Sequence, residues 1–279
     1  MKRKVKTKVK GFRTTDGAGV KLVRVLGNLT TKEFDPILML DSFDSINPDD
    51  YTAGFPMHPH RGIETISYVS RGKMVHRDSL GNEAGISDGE VQWMNSGSGI
   101  MHEEMVPAAE RLLGVQLWLN LPAKDKMSKP SYNSIKNEDI KEIEIEGGKI
   151  RLLAGKYGEH EGYKGDYLSM DYYDIHLNAD AEVTLTMEED DSVMVFTLLG
   201  DVYIDGEHIE EKTAVKLTEE DSLTIKNGNE KAQVLYMNSR ALNEPVAWAG
   251  PIVMNTQEEL QKAFLELRSN TFIKETAEY

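Results

Sequence analysis

The sequence predicts an all-β protein of two barrel-like halves with one short helix near the end of the chain. Period-two alternation of apolar and polar residues dominates, as in Glu64-Thr65-Ile66-Ser67-Tyr68-Val69 and Val193-Met194-Val195-Phe196-Thr197-Leu198. Turn signals recur at short spacing: Arg71-Gly72-Lys73, Leu80-Gly81-Asn82, Ser87-Asp88-Gly89 and Asn95-Ser96-Gly97. Many short strands with frequent turns point to an antiparallel sandwich or barrel. The second half also repeats the first in pattern.

Met1 to Lys10 alternates Lys or Arg with Val and Thr, the pattern of an edge strand whose outward lysines discourage pairing with another chain. Further on, Ile63 to Arg71 runs through Gly72 into Lys73-Met74-Val75, with a second turn at Leu80-Gly81-Asn82. In the second half, Val193 to Leu199 runs through Gly200 into Asp201-Val202-Tyr203, with a second turn at Asp205-Gly206-Glu207. The polar, proline-bearing stretch from Lys124 to Lys141 reads as the linker. The expected halves are therefore 1–130 and 131–279, the terminal segment being an addition to the second. In that segment Thr256-x-x-Glu259 forms a capping box, and Leu260, Phe264 and Leu267 follow on one helical face.

A chain of 279 residues is long enough for two cores. With 39% hydrophobic and 28% charged residues, its composition is that of an ordinary globular protein. The absence of cysteine removes disulfides, thiolate metal sites and cysteine nucleophiles, and fits a reducing compartment. No apolar stretch approaches the ~18 residues of a membrane span, and the first ten residues lack an apolar signal core. A cytoplasmic location is expected, without membrane association. The net charge of −15 disfavours direct contact with nucleic acid, whose binding relies on Lys and Arg. A protein partner with a basic face remains compatible with that charge.

The chemistry-bearing residues lie in the first half: His58-Pro59-His60, then Glu64, then Gly97-Ser98-Gly99 and His102-Glu103-Glu104. Residues two apart on a strand share a face, so His58 pairs with His60 and His102 with Glu104, while Glu103 faces the other way. If both strands line one barrel, these side chains converge inside it. Imidazole and carboxylate are the natural ligands of Fe(II), Mn, Ni, Cu or Zn. Without an ion, such a buried group would leave polar atoms short of partners. Glu64, four residues beyond His60, has the same parity, so the residues themselves leave the carboxylate open between Glu64 and Glu104. His76, His160, His176 and His208 read as structural. Trp93, Met94 and Met101 fit a pocket lining, but aromatics and methionines on a strand are more often core. Nothing resembles a phosphate loop, a nucleophile elbow or a paired-carboxylate hydrolase site.

His58-x-His60-x3-Glu64 followed by Gly97-x-Gly99-x2-His102 resembles the two motifs of the cupin superfamily. His58-Pro-His-Arg-Gly-Ile-Glu-Thr65 and Gln92-Trp-Met-Asn-Ser-Gly-Ser-Gly-Ile-Met-His-Glu-Glu-Met105 resemble the pirin family more closely. Gln116-Leu-Trp-Leu-Asn-Leu-Pro122, Lys124-Asp-Lys-Met127 and Glu244-Pro-Val-Ala-Trp-Ala-Gly-Pro-Ile-Val-Met-Asn-Thr256 extend the likeness over nearly the whole chain.

The resemblance implies two jelly-roll-like cupin barrels packed face to face, with one divalent metal in the first only. Its ligands would be His58, His60, His102 and Glu104, with Fe(II) the expected ion and Mn, Ni, Cu and Zn the alternatives. Glu64 would then be a neighbouring pocket residue. Around Thr186-Met187-Glu188 and Asn227-Gly228-Asn229 the second half offers no histidine, and no metal is expected there. The implied activity is that of a quercetin 2,3-dioxygenase acting on a flavonol, or a similar phenol or enediol, with O2. Glu104 would take the proton from the substrate hydroxyl. The alternative implied by the same family is a non-enzymatic, redox- or metal-sensitive regulator that binds a protein partner.

Overall fold

The computed structural model describes residues 1–275. The predicted strands form, among them Ile63–Arg71 and Ser192–Leu199, and they assemble into two compact units. One comprises Arg13–Thr31, Ile37–Lys136 and the described chain from Leu242 onward. The other comprises Met1–Phe12, Lys32–Pro36 and Asn137–Ala241.

The repeat seen in the sequence is a repeat of topology. In the first-half unit a seven-stranded sheet runs Ser131–Ile135, Glu90–Asn95, Ile63–Arg71, Leu112–Asn120, Ile37–Ser45, Val20–Leu26, Phe12–Asp16. A four-stranded sheet runs Phe55–His60, Ile100–Met105, Lys73–Asp78, Glu83–Ser87. In the second-half unit the seven-stranded order is Val5–Lys10, Thr213–Leu217, Ser192–Leu199, Ala232–Ser239, Met170–Leu177, Gly148–Ala154, Lys141–Ile145. Its four-stranded order is Glu182–Thr186, Ser222–Asn227, Val202–Ile204, Glu207–Ile209. Strand for strand the two plans correspond. Each barrel is two sheets that bury alternate residues of their strands between them.

The units exchange their ends relative to a single cut near residue 130. The strand Val5–Lys10 is an edge strand with its lysines outward, as expected, but it pairs with Thr213–Leu217. The corresponding edge of the other unit is taken by Ser131–Ile135, which lies inside the stretch read as a linker. Ile135 is buried there, which gives this short segment a reason to leave the linker state. The helix Gln257–Arg268 has the predicted capping box, with the Thr256 hydroxyl accepting from Glu259 N–H. Its buried Leu260 and Ala263 pack with Ala247, Ile252, Met254 and Phe272 in the first-half unit, not the second.

That placement follows from close backbone contacts. The buried Lys126 ammonium donates to Gly62 O, Asn120 Oδ1 and Val253 O, and Arg61 donates to Ser98 O and Phe272 O while pairing with Glu266. Gly62 has φ +79° and a Cβ there would stand 2.0 Å from Val253 O, so only glycine admits the C-terminal arm.

The interiors of the units differ in chemistry. In the second-half unit the strands matching the histidine-bearing pair contribute Val183, Leu185, Leu223 and Ile225 to a cluster with Val195, Val202, Val215 and Tyr236. An apolar filling of this kind stabilises a barrel but offers an ion no ligand.

Candidate metal centre

The strands Phe55–His60 and Ile100–Met105 are antiparallel neighbours, with His102 opposite His58 and Ile100 opposite His60. Cross-strand pairing and the period of two thus bring His58, His60 and His102 to one face. Their nearest ring nitrogens all lie within 4.8 Å of one another. Gly97, at φ +39°, lets the turn before the second strand close against Ser128 O, which a Cβ would meet at 2.1 Å.

Hydrogen bonds orient two of the rings. His58 Nδ1 is 2.8 Å from Pro56 O, and His60 Nδ1 is 2.9 Å from Pro251 O. A carbonyl only accepts, so each Nδ1 carries a proton, and in the neutral form of each ring the lone pair is then on Nε2. These two Nε2 atoms are 3.1 Å apart. That is the separation of two nitrogens held at roughly a right angle about 2.1 Å from one ion. His102 Nε2 is buried without a hydrogen-bond partner among the described residues. Burial, reinforced by His58 alongside, pushes His60 down to about 3. Burial, then the neighbouring His60, His58 and His76, pushes His102 well below the usual range. Both rings are therefore neutral at physiological pH, the form that ligates a metal. Converging lone pairs and one orphaned buried nitrogen fit a divalent transition ion.

Glu104 is buried beside this cluster but outside the three-histidine group. Gln92 Nε2 donates to its Oε1, Gln116 Nε2 donates to its Oε2 at 2.7 Å, and Ser67 Oγ lies 3.4 Å from Oε1. Each carboxylate oxygen has two lone-pair directions, so Oε2, with one amide on it, has room for a further partner. Glu103 points the other way, as parity predicts, to within 3.7 Å of Arg77.

Glu64 is buried too, yet the parity that linked it to His60 does not hold. Arg61-Gly62 separates the strand of His60 from the strand of Glu64, so the alternation restarts. Ser67, which meets Glu104, and Glu64 are three apart on one strand and face opposite ways.

A cavity of ≈ 550 Å³ opens onto His58 and His60. Gln116, Met39, Trp118, Trp248 and Pro251 line it, with Asp16, Arg24 and Asp41 at its polar side. The Trp118 ring stands edge-on to His60 at 5.0 Å, and Trp248 lies 5.4 Å from Trp118. Arg24 is bidentate to Asp41, at 2.9 and 2.7 Å, and reaches Asp16 at 2.6 Å. Burial pushes Asp41 up, with Arg24 opposing, whereas at Asp16 Arg24 and the Gly17 N–H prevail over burial and hold the carboxyl low.

Several of these residues carry no signal in the sequence alone: Arg24 and Asp41 are joined only across a sheet, and Gln92 and Gln116 look like ordinary strand amides. Trp93 and Met94 are core, the commoner place for an aromatic or methionine on a strand. His76, read as structural, lies 3.4 Å from His102, ring nitrogen to ring nitrogen. His176 and His208 pair locally with Asp174 and Asp201, and His160 is exposed.

Two family models match the chain: Pirin over residues 19–119, and Pirin C-terminal cupin domain over residues 172–273. A Pseudomonas aeruginosa protein named "Putative quercetin 2,3-dioxygenase" is 39% identical, the alignment covering 92% of this chain and 94% of that protein. A pirin-like protein of Caulobacter vibrioides is 38% identical over 95% of this chain and 97% of its own. The crystal structure of a quercetin 2,3-dioxygenase from Acinetobacter baumannii superposes with TM-score 0.89 at 29% identity, covering 98% of this chain and 99% of that one.

Proposed function

The chain belongs to the pirin family, and from that premise we propose that it is a metal-dependent dioxygenase opening a flavonol, or a similar phenol or enediol, with O2. The observation that carries this reading is the convergence of three imidazoles, with an orphaned His102 Nε2, beside a cavity walled by tryptophan. His58, His60 and His102 would hold the ion, with Glu104 as fourth ligand, and Fe(II) is the proposed metal. When bound, the ion supplies positive charge that favours the ionised substrate hydroxyl and gives access to O2 chemistry.

The remaining steps belong to the protein. Trp118, Trp248 and Met39 offer apolar faces to the aromatic rings of a planar substrate and exclude water from around them. Arg24 with Asp16 and Asp41 sets one guanidinium against two carboxyl groups on the polar side of the cavity, a surface suited to hydroxyl groups. Glu104 accepts the proton of the substrate hydroxyl at a carboxylate oxygen. The Gln92 and Gln116 amides keep that carboxylate from turning, and Gln116, which also lines the cavity, joins the base to the substrate space. In the overall reaction both atoms of O2 enter the opened ring and one ring carbon leaves as carbon monoxide, so no further reductant is needed.

The test is to load the protein anaerobically with Fe(II), add a flavonol and air, and follow loss of flavonol absorbance together with carbon monoxide. Turnover in wild type that is lost in His102→Ala is expected. Wild type no faster than that variant, over several metals, would leave the family's regulatory role as the better reading.

A further inference from the structure

The third metal-facing imidazole lacks what orients the other two. His58 and His60 each give their Nδ1 proton to a main-chain carbonyl, whereas His102 Nδ1 faces the Nδ1 of another histidine at 3.4 Å. That residue, His76, is fully buried on the neighbouring strand Lys73–Asp78. Its ring is stacked on Tyr132 at 4.0 Å, which fixes its plane. Its other nitrogen, Nε2, lies 2.9 Å from Asp78 Oδ2. Asp78 also accepts from the backbone N–H groups of Leu80 and Asn82 at Oδ1 and from the Asn82 amide at Oδ2. Surrounded by donors, this carboxylate acts as an acceptor throughout.

For a neutral His76 the direction of each proton in the row follows from the geometry. A carboxylate takes a proton from His76 Nε2, so a neutral His76 has a bare Nδ1. A bare Nδ1 accepts from His102 Nδ1–H, and His102 is left with its lone pair on Nε2, the atom without a partner, in a ring whose centroid lies 4.4 Å from that of His58 and 5.0 Å from that of His60. We infer that Asp78 and His76 are positioning residues which fix the tautomer of His102 for metal binding, acting through an Asp78–His76–His102 row. The inference rests on the reading of the three histidines as ligands. Carboxylate–histidine pairs behind a metal ligand generally set its orientation and basicity; here a second imidazole extends the link by one ring.

Asp78→Asn is the informative change, because it nearly conserves shape while offering an N–H where an oxygen stood. Facing His76 Nε2, that amide makes Nε2 the acceptor. His76 Nδ1–H then donates to His102 Nδ1 and forces the His102 proton onto Nε2. The tautomers are read in the metal-free, full-length protein labelled with 15N-histidine, from the imidazole nitrogen shifts. Wild type is expected to carry its protons on His76 Nε2 and His102 Nδ1, and the variant to have both reversed. Affinity for Mn(II) alone, measured by calorimetry, should fall about 10–100-fold.

A wild-type His102 protonated on Nε2 overturns the inference, and so does a variant that changes neither tautomer nor affinity. If the variant does not fold, the wild-type spectrum still decides. Wild type that binds no Mn(II), Fe(II) or Ni(II) while showing the expected tautomers would sink the metal reading and leave the row itself standing.

Discussion

Replacing Glu104 by Gln tests the polar interior of the barrel without changing its volume. Two amide N–H groups converge on this side chain, from Gln92 onto Oε1 and from Gln116 onto Oε2. Gln offers one oxygen and one NH2, so at one end a donor faces a donor unless the Gln92 or Gln116 amide turns over and gives up its own N–H bond to Ser67 Oγ. With Glu104 only 1% exposed, water does not relieve the mismatch. A buried donor left unmatched costs about 1–3 kcal/mol, a sizeable part of the roughly 5–15 kcal/mol that holds a domain folded. The assay is urea denaturation of chelator-treated protein, which separates this loss from any loss of metal. Adding Gln116→Glu restores a donor–acceptor pair, and the double variant should recover much of the stability, giving a favourable coupling in the cycle. A single variant as stable as wild type, or a double variant whose effects simply add, would refute the reasoning.

Lowering the pH should destabilise the metal-free protein from about pH 6.5 downward. His60 has its pKa depressed to about 3, and His102 is depressed in the same direction, so below 6.5 the unfolded chain binds protons that the folded chain refuses. Stability is fully present above 6.5 and falls by up to about 1.4 kcal/mol per pH unit for each histidine; a flat profile from pH 6.5 to 4.5 in chemical denaturation would contradict this. Gly62→Ala puts a Cβ 2.0 Å from Val253 O at φ +79°, and should cost more than about 2 kcal/mol. Hydrogen exchange should show the loss first in residues 247–268, because the arm loses its seat. Trp248→Ala removes an aromatic wall but no ligand, so kcat/KM for a flavonol should fall about 2–10-fold, matching ~0.5–1.5 kcal/mol of ring contact, while metal content stays the same.

Much of the fold was legible because it is local. Alternation and glycine turns mark strands such as Ile63–Arg71 and Ser192–Leu199, and the Thr256–Glu259 box marks the start of the helix. What alternation does not carry is the partner of an edge. Val5–Lys10 and Ser131–Ile135 occupy equivalent edges of the two sheets, and only long-range pairing with Thr213–Leu217 and Glu90–Asn95 determines which goes where. The helix likewise looks the same whichever barrel it covers; the oxygens of Gly62 and Val253 that meet on Lys126 tie its arm to the first-half unit.

At the site, the histidines were readable because each pair lies within one strand. Glu64 shows where such reading stops: two residues of turn at Arg61-Gly62 reset the parity that seemed to join it to His60. His76 was hidden for a different reason. Beside Arg77 and Asp78 it looks like part of a charged surface strand, yet Arg77 turns outward to Glu83 while His76 and Asp78 turn inward and pair with each other.

The central claim is that His58, His60 and His102 together hold one ion. Elemental analysis of protein isolated without chelator, beside the His58→Ala, His60→Ala and His102→Ala variants and with folding checked by circular dichroism, tests it most directly. The account predicts about one transition metal per chain in wild type and little or none in each folded variant. A metal-free wild type that also refuses added Fe(II), Mn(II) and Ni(II), or a variant that keeps its full complement, would contradict it.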